Sequence, residues 1–242
     1  MKPITLMDML KAGVHFGHKT SLWNPKMAGY IYTQRNNIHI LDLEKTKSKL
    51  TAALNFAKEI AARGGNILFV GTKRQAKEVV KKAAESAGMP YVVTRWLGGT
   101  FTNFRTIQRT IKKMEKYEKM IADGEIKKYT KKEQLMIARE LEKMKLFFSG
   151  IKDMKKLPDA IFVLDVKYDH IPVEEARQSK VKVIGLVDTN SDPTKVDYII
   201  PSNDDAIKVI EYMANALADA VKSGKQSASS NVIVSEGAAV AR

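Results

Sequence analysis

The chain of 242 residues contains no cysteine. That absence excludes a disulfide scaffold, a cysteine-ligated zinc finger, an iron–sulfur centre and a thiol nucleophile. No stretch reaches the roughly 18 uninterrupted apolar residues of a membrane span. The start, Met1-Lys2-Pro3-Ile4-Thr5, does not read as a signal peptide. Acidic side chains are in deficit, 27 against 41 Lys and Arg, for a net charge of +14. The hydrophobic fraction of 44% suffices for a core and argues against a wholly disordered chain. The expectation is a soluble, basic, cytoplasmic protein.

Several catalytic signatures are missing too. No G-x-G-x-x-G follows an apolar run, and no G-x-x-x-x-G-K-[ST] occurs. Gly64-Gly65 stands before its strand, on the wrong side of a sheet for a pyrophosphate. A G-x-S-x-G nucleophile elbow is absent. His15 and His18 are three residues apart but have no partner at metal-ligand spacing, which favours packing or RNA contact over zinc. Catalytic residues are therefore not expected.

What is present reads as an α/β fold. The apolar runs Asn66–Gly71, Tyr91–Val93, Ala160–Asp165, Val183–Asp188 and Tyr198–Ile200 alternate with helical patterns. Continuous apolar strands joined through helices predict a five-stranded parallel sheet covered on both faces, doubly wound in three layers. Helices are expected over Leu43–Ala62, opened by Asp42, over Lys73–Ala87, from about Val173 to Ser179, and from Asp204 to about Val221. Tyr30–Tyr32 and Ile38–Ile40 flank Gln34-Arg35-Asn36-Asn37 and predict a small hairpin outside the main sheet. Asp165, Asp188 and Asp204-Asp205 follow strands. Helix caps and turn stabilisers are the favoured roles there, with a structural divalent cation at Asp188, Asp204 and Asp205 as the alternative.

Residues 104–148 break this rhythm. Phe104, Ile107, Ile111, Met114, Tyr117 and Ile121 recur at three- or four-residue steps, as do Ile137, Leu141, Met144 and Phe148. Thr130 with Glu133 has the spacing of a capping box. Two amphipathic helices should fold back as an antiparallel coiled-coil hairpin, inserted over 105–156 into an α/β/α domain formed by 1–104 and 157–222. Residues 1–41 form an N-terminal extension, and 223–242 read as a flexible tail.

The charge follows this division. Residues 1–104 carry a net +10, residues 105–156 +8, residues 157–220 −6 and residues 221–242 +2. A polyanion would be drawn to the first two blocks and repelled by the third. Arg105, Arg109, Lys112, Lys113, Lys116 and Lys119 lie on the first arm of the hairpin. Lys127, Lys128, Lys131, Lys132, Arg139 and Lys143 lie on its loop and second arm. Such a rod can follow a phosphate backbone by charge and shape, and intrahelical pairs such as Glu115–Lys119 cannot neutralise it. Two loops, His15–Met27 and Arg95–Arg105, mix cations, glycine and aromatics, as RNA-contacting loops do. Trp96 and Phe101 are better read as hydrophobic clamps beneath the second loop. Gly71-Thr72-Lys73-Arg74 offers cations at an expected helix start, suited to a backbone phosphate.

Together Leu10–His18, Trp23–Met27, Ile67–Arg74, Arg95–Gly99, Leu157–Asp165 and Val187–Pro193 resemble the bacterial small-ribosomal-subunit protein two family, over nearly all of residues 5–222. The resemblance implies a flavodoxin-like domain with strand order 2-1-3-4-5 and an inserted helical hairpin, no enzyme activity and no required cofactor. It implies a ribosome-bound constituent of the 30S subunit in translation, lying between head and body. Its partners would be 16S ribosomal RNA, neighbouring subunit proteins and the large mRNA-binding protein one, with no membrane and no small-molecule substrate. Lys11, His15, His18, Lys19, Asn24, Lys26, Lys73, Arg74, Arg95 and Asn103 sit in matching motifs as RNA-contact candidates. Arg35 and the hairpin cations join them on charge alone. The rival reading is a receiver-like or nucleotide-utilising α/β enzyme whose basic hairpin binds a partner.

Overall fold

The computed structural model describes residues 4–240, with side chains described through residue 228. The chain opens with α1 (Leu6–Ala12), capped by the Thr5 hydroxyl, which accepts from the Asp8 amide. Next come β1 (Phe16–Lys19), β2 (Ile31–Arg35) and β3 (Ile38–Leu41). These three form an antiparallel sheet in the order β1-β3-β2. The turn between β2 and β3 places Asn36 at φ 50° and Asn37 at φ 58°, the left-handed pair of a type I′ hairpin, which asparagine tolerates. The expected hairpin is therefore one edge of a larger sheet. Its added strand, β1, comes from a segment that reads as loop because glycine and histidine hide its alternation.

The main body contains α2 (Leu43–Ala62), β4 (Ile67–Val70), α3 (Lys77–Ala87), β5 (Tyr91–Val92), β6 (Ala160–Val163), α6 (His170–Gln178), β7 (Lys182–Val187), β8 (Tyr198–Pro201) and α7 (Ile207–Val240). Between β5 and β6 stand α4 (Phe104–Ala122) and α5 (Lys131–Phe148). The sheet is five-stranded, all parallel, in the order β5-β4-β6-β7-β8. Every residue of β4 and β6 is buried, as expected of strands covered on both faces. Ile67, Phe69, Ala160 and Phe162 pack into one core with Leu50, Leu54, Val80 and Leu217, beneath α2, α3 and α7. Leu68, Val70, Ile161 and Val163 face the other way, packing with Val173 of α6 and with Ile107, Ile111 and Phe148 of α4 and α5.

Three helices differ from their expected limits. α3 starts at Lys77 rather than Lys73, because Lys73–Ala76 form a tight turn that holds Lys73 over the sheet edge. α6 begins three residues early, at His170. α7 begins at Ile207 and runs well beyond Val221. Its reach depends on Gly224: a Cβ there would stand 2.3 Å from the Lys58 carbonyl oxygen, so only glycine lets α7 lie this close to α2. Beside it, Lys225 Nζ donates to the carbonyls of Ala87 (2.8 Å) and Gly88 (3.1 Å). The first residues of the segment read as a flexible tail are thus helical and packed. The remainder of that segment, from residue 229, lies outside the residues whose side chains are described.

α4 and α5 run antiparallel, with Lys145 of α5 pairing with Glu118 of α4, and Gln108 Nε2 donating to the Lys155 carbonyl beyond α5. Thr130 and Glu133 form the expected capping box at the start of α5. The buried seam of α4 is Ile107, Ile111, Met114 and Met120. Near the tip it departs from the expected Ile121, which is exposed, since a 3.6-residue helix drifts against a fixed heptad stripe.

Candidate nucleic-acid interface

The carboxyl ends of the parallel strands converge on a charged cluster. Lys73, just past β4, reaches Asp165 after β6 (2.9 Å), Asp204 after β8 (3.3 Å) and Asp205 (2.6 Å). His18, from β1, sets Nδ1 3.1 Å from Asp188 after β7 and Nε2 3.4 Å from Asp205. Asp204 is almost wholly buried. Burial, then the neighbouring Asp165 and Asp188, pushes its carboxyl up to about 8. Burial alone would lower Lys73, but the bonds to Asp205 and Asp165 and the charge of Asp204 outweigh it and raise it. His18 is raised chiefly by its bond to Asp188, against the opposing effect of burial. Asp169 sits beside the cluster, its carboxylate accepting from the Thr72 hydroxyl (2.6 Å) and amide. Ligand atoms of His18, Asp188 and Asp204 lie within 4.8 Å of one another. The three aspartates singled out as cation candidates are therefore gathered, but with Lys73 among them. Its ammonium pairs with Asp204 and Asp205 and offsets part of their charge, while Asp188 is met by His18.

The crevice at this edge, where doubly wound domains hold their ligands, is closed by the chain's own N-terminal segment. The His18 amide donates to Thr189 Oγ1 (2.8 Å), the Asn24 amide to the Thr189 carbonyl (2.7 Å), and the Asn203 amide to the Val14 carbonyl (3.1 Å). Gly17 permits this contact, because a Cβ there would stand 2.6 Å from the Thr189 methyl. Asp165 and Asp188 also carry out the turn-stabilising role read from the sequence. Asp165 accepts from the amides of Lys167 and Tyr168, and Asp188 from that of Thr189.

A second arrangement supports the loop that leads into α4. Glu175 on α6 is buried and takes its bonds from one segment: Trp96 Nε1 (3.1 Å), the Gly99 amide (2.7 Å), the Phe101 amide (2.9 Å) and the Thr102 amide (3.3 Å). Burial works against its charge, but these donors prevail and keep it ionised below the ordinary glutamate range. Trp96 and Phe101 are buried and stack edge to face at 5.0 Å, as the clamp reading expects. Sequence reading passes over Glu175. An acid amid the apolar face of a short helix is the available signal, but its partners lie more than 70 residues earlier.

The RNA-contact candidates divide into two groups. Lys11, Lys19, Arg35, Arg74, Arg95, Arg105, Arg109, Lys112, Lys116, Lys131 and Lys132 are exposed, and none is in an ion pair among the described residues. Others are engaged within the fold. Lys26 pairs with Asp192 at 2.8 Å, holding that carboxyl down to about 2. Lys113 pairs with Glu140 across the hairpin, and Lys73 and His18 belong to the edge cluster. Asn24 caps a 3-10 turn by accepting from the Lys26 amide, and Asn103 accepts from the Thr106 hydroxyl. His15 lies against Phe16, and burial lowers its pKa. The anticipated Glu115–Lys119 pair does not form. Ion pairs link the arms instead, with Glu118 bound to both Lys145 and Lys152, while Lys128 and Glu125 pair locally within the connecting turn.

No helix among the described residues is long and apolar enough to cross a membrane. The family model described as ribosomal protein S2 matches residues 9–224. That span covers the edge cluster, its N-terminal closure, the Glu175-braced loop and both hairpin helices. The chain belongs to the ribosomal protein S2 family, structural proteins of the small ribosomal subunit that serve translation.

Proposed function

We propose that this chain binds 16S ribosomal RNA through its N-terminal loops and the exposed cations of the 105–156 hairpin. In this reading it acts as a non-catalytic part of the 30S subunit, between head and body, and helps to dock the large mRNA-binding protein one. The observation that carries the reading is the hairpin. Its seam residues Met114, Leu141 and Met144 are buried while Arg109, Lys112, Lys116, Lys131 and Lys132 remain exposed and without ion pairs among the described residues. An elongated surface of that kind neutralises phosphates without reading bases. The net −6 of residues 157–220 does not make an acidic surface, because Asp165, Asp169, Glu175, Asp188 and Asp204 are buried. The reading therefore rests on where the cations are exposed, not on repulsion from this block. The enzyme reading loses ground because the usual ligand crevice is occupied by the N-terminal segment and by Lys73.

Replacing Arg109, Lys112 and Lys116 together by Glu tests the rod without touching Lys113, which already has Glu140. The variant should incorporate poorly into 30S particles. Its plot of log affinity against log salt should be shallower by about 2 to 3, at roughly 0.7 to 0.9 for each phosphate no longer neutralised. Incorporation equal to that of the unaltered chain, in a variant that melts normally, would remove the hairpin from the interface.

A further inference from the structure

The antiparallel sheet carries a feature that the edge cluster and the hairpin do not explain. His39 on β3 is buried, 8% exposed, and neither of its ring nitrogens has a hydrogen-bond partner among the described residues. Buried polar groups are nearly always satisfied, so an imidazole with both nitrogens idle calls for an account. His39 lines a shallow cavity of about 370 Å³ together with Trp23, Gln34, Thr33, Ile31 and Ala28. The Trp23 indole lies over the imidazole at 5.2 Å between ring centres and is itself 38% exposed. It sits on the connection between the 3-10 turns Thr20–Leu22 and Pro25–Tyr30. Gln34 stands opposite His39 in the β2–β3 register.

We propose that this cavity receives one unpaired nucleobase of the RNA, stacked on Trp23 with its polar edge turned to His39 and Gln34. The proposal rests on the RNA-binding reading above and adds to it a contact with a base. Neutral imidazole offers one donor and one acceptor, and the glutamine amide offers both. That set complements the edge of a base, whereas a phosphate would ask for donors alone. Trp23 provides the π-face on which bases stack. The exposed cations Lys19 on β1 and Arg35 on β2 both pair in register with Ile38 and so project from the face of the sheet opposite to His39. A backbone leaving the pocket would meet Arg35 only around the β2 edge.

Two probes separate the base from its backbone: a short oligouridine, and an abasic ribose-phosphate chain of the same length. With the full chain, Trp23→Ala should weaken oligouridine binding about tenfold, toward the lower end of what base–aromatic stacking supplies. Binding of the abasic probe and the salt slope for either probe should be unchanged, because every cation that meets a phosphate is retained. His39→Phe keeps a buried ring but removes both nitrogens, and should weaken oligouridine binding severalfold while the thermal melt stays intact. Equal effects of Trp23→Ala on both probes, or no effect on either, would overturn the pocket while salt-dependent binding left the RNA reading in place. An unaltered chain that binds neither probe would overturn the RNA reading and the pocket with it.

Discussion

His18 and Asp204 both favour their protonated forms in the folded chain, His18 through its bond to Asp188 and Asp204 through burial among other carboxylates. Between the ordinary aspartate value of 3.8 and about 8, the native state holds more protons than the unfolded one. Stability from these groups therefore falls as pH rises through that window. The His18 share is complete below 6.5 and is lost as pH passes its raised value. Urea unfolding should give a free energy lower at pH 9 than at pH 6 by about 1 to 3 kcal/mol. Asp204→Asn should flatten most of that slope and His18→Gln a smaller part, and a slope unchanged in both variants would refute the assignment. The aspartates were legible as strand-end residues, since each follows an apolar run. Their partners were not, because Lys73 meets Asp165 and Asp204 across 92 and 131 residues of chain, distances over which no local pattern carries information.

Among the elements, those with local chemistry were read most accurately. α2 spans the expected Leu43–Ala62 because Asp42 caps the amides of Glu44 and Lys45, and α5 starts where its capping box stands. Limits set by tertiary packing were missed. α7 continues because Gly224 fits against Lys58, and β1 is a strand only because β3 pairs with it. The loop 95–103 is likewise held from a distance, by Glu175. A glutamine there keeps the shape but replaces one oxygen by an NH2 group facing amides that also donate. Glu175→Gln should cost about 2 to 4 kcal/mol, since several charge-assisted bonds are removed together. Hydrogen exchange should quicken at Gly99, Phe101 and Thr102 while the amides of β6 and β7 remain protected. Uniform protection in the variant would show that the loop holds itself.

At the scale of the whole molecule, a net charge of +14 conceals one acidic block, residues 157–220 at −6, among three basic ones. The hairpin and N-terminal extension present their cations outward, while much of the acidic block's charge is turned inward at the sheet edge, where Lys73 and His18 meet it. The N-terminal closure over that edge depends on Gly17. Gly17→Ala would drive a methyl into Thr189 and should cost about 1 to 3 kcal/mol. Proteolysis within residues 20–30 should accelerate, and an unchanged cleavage rate would mean that the segment is held by β3 alone.

That closure also fixes an order of events. His18 is synthesised well before Thr189, to which its amide binds and which follows 171 positions later. A chain emerging from synthesis must therefore carry its first strand without a roof partner until β7 and the turn beyond it have appeared. Pairings of such long sequence separation form late, since the intervening loop must close before they are gained. The bond across the sheet edge thus marks the point at which this strand can dock: a chain that stops short of residue 189 leaves β1 without it.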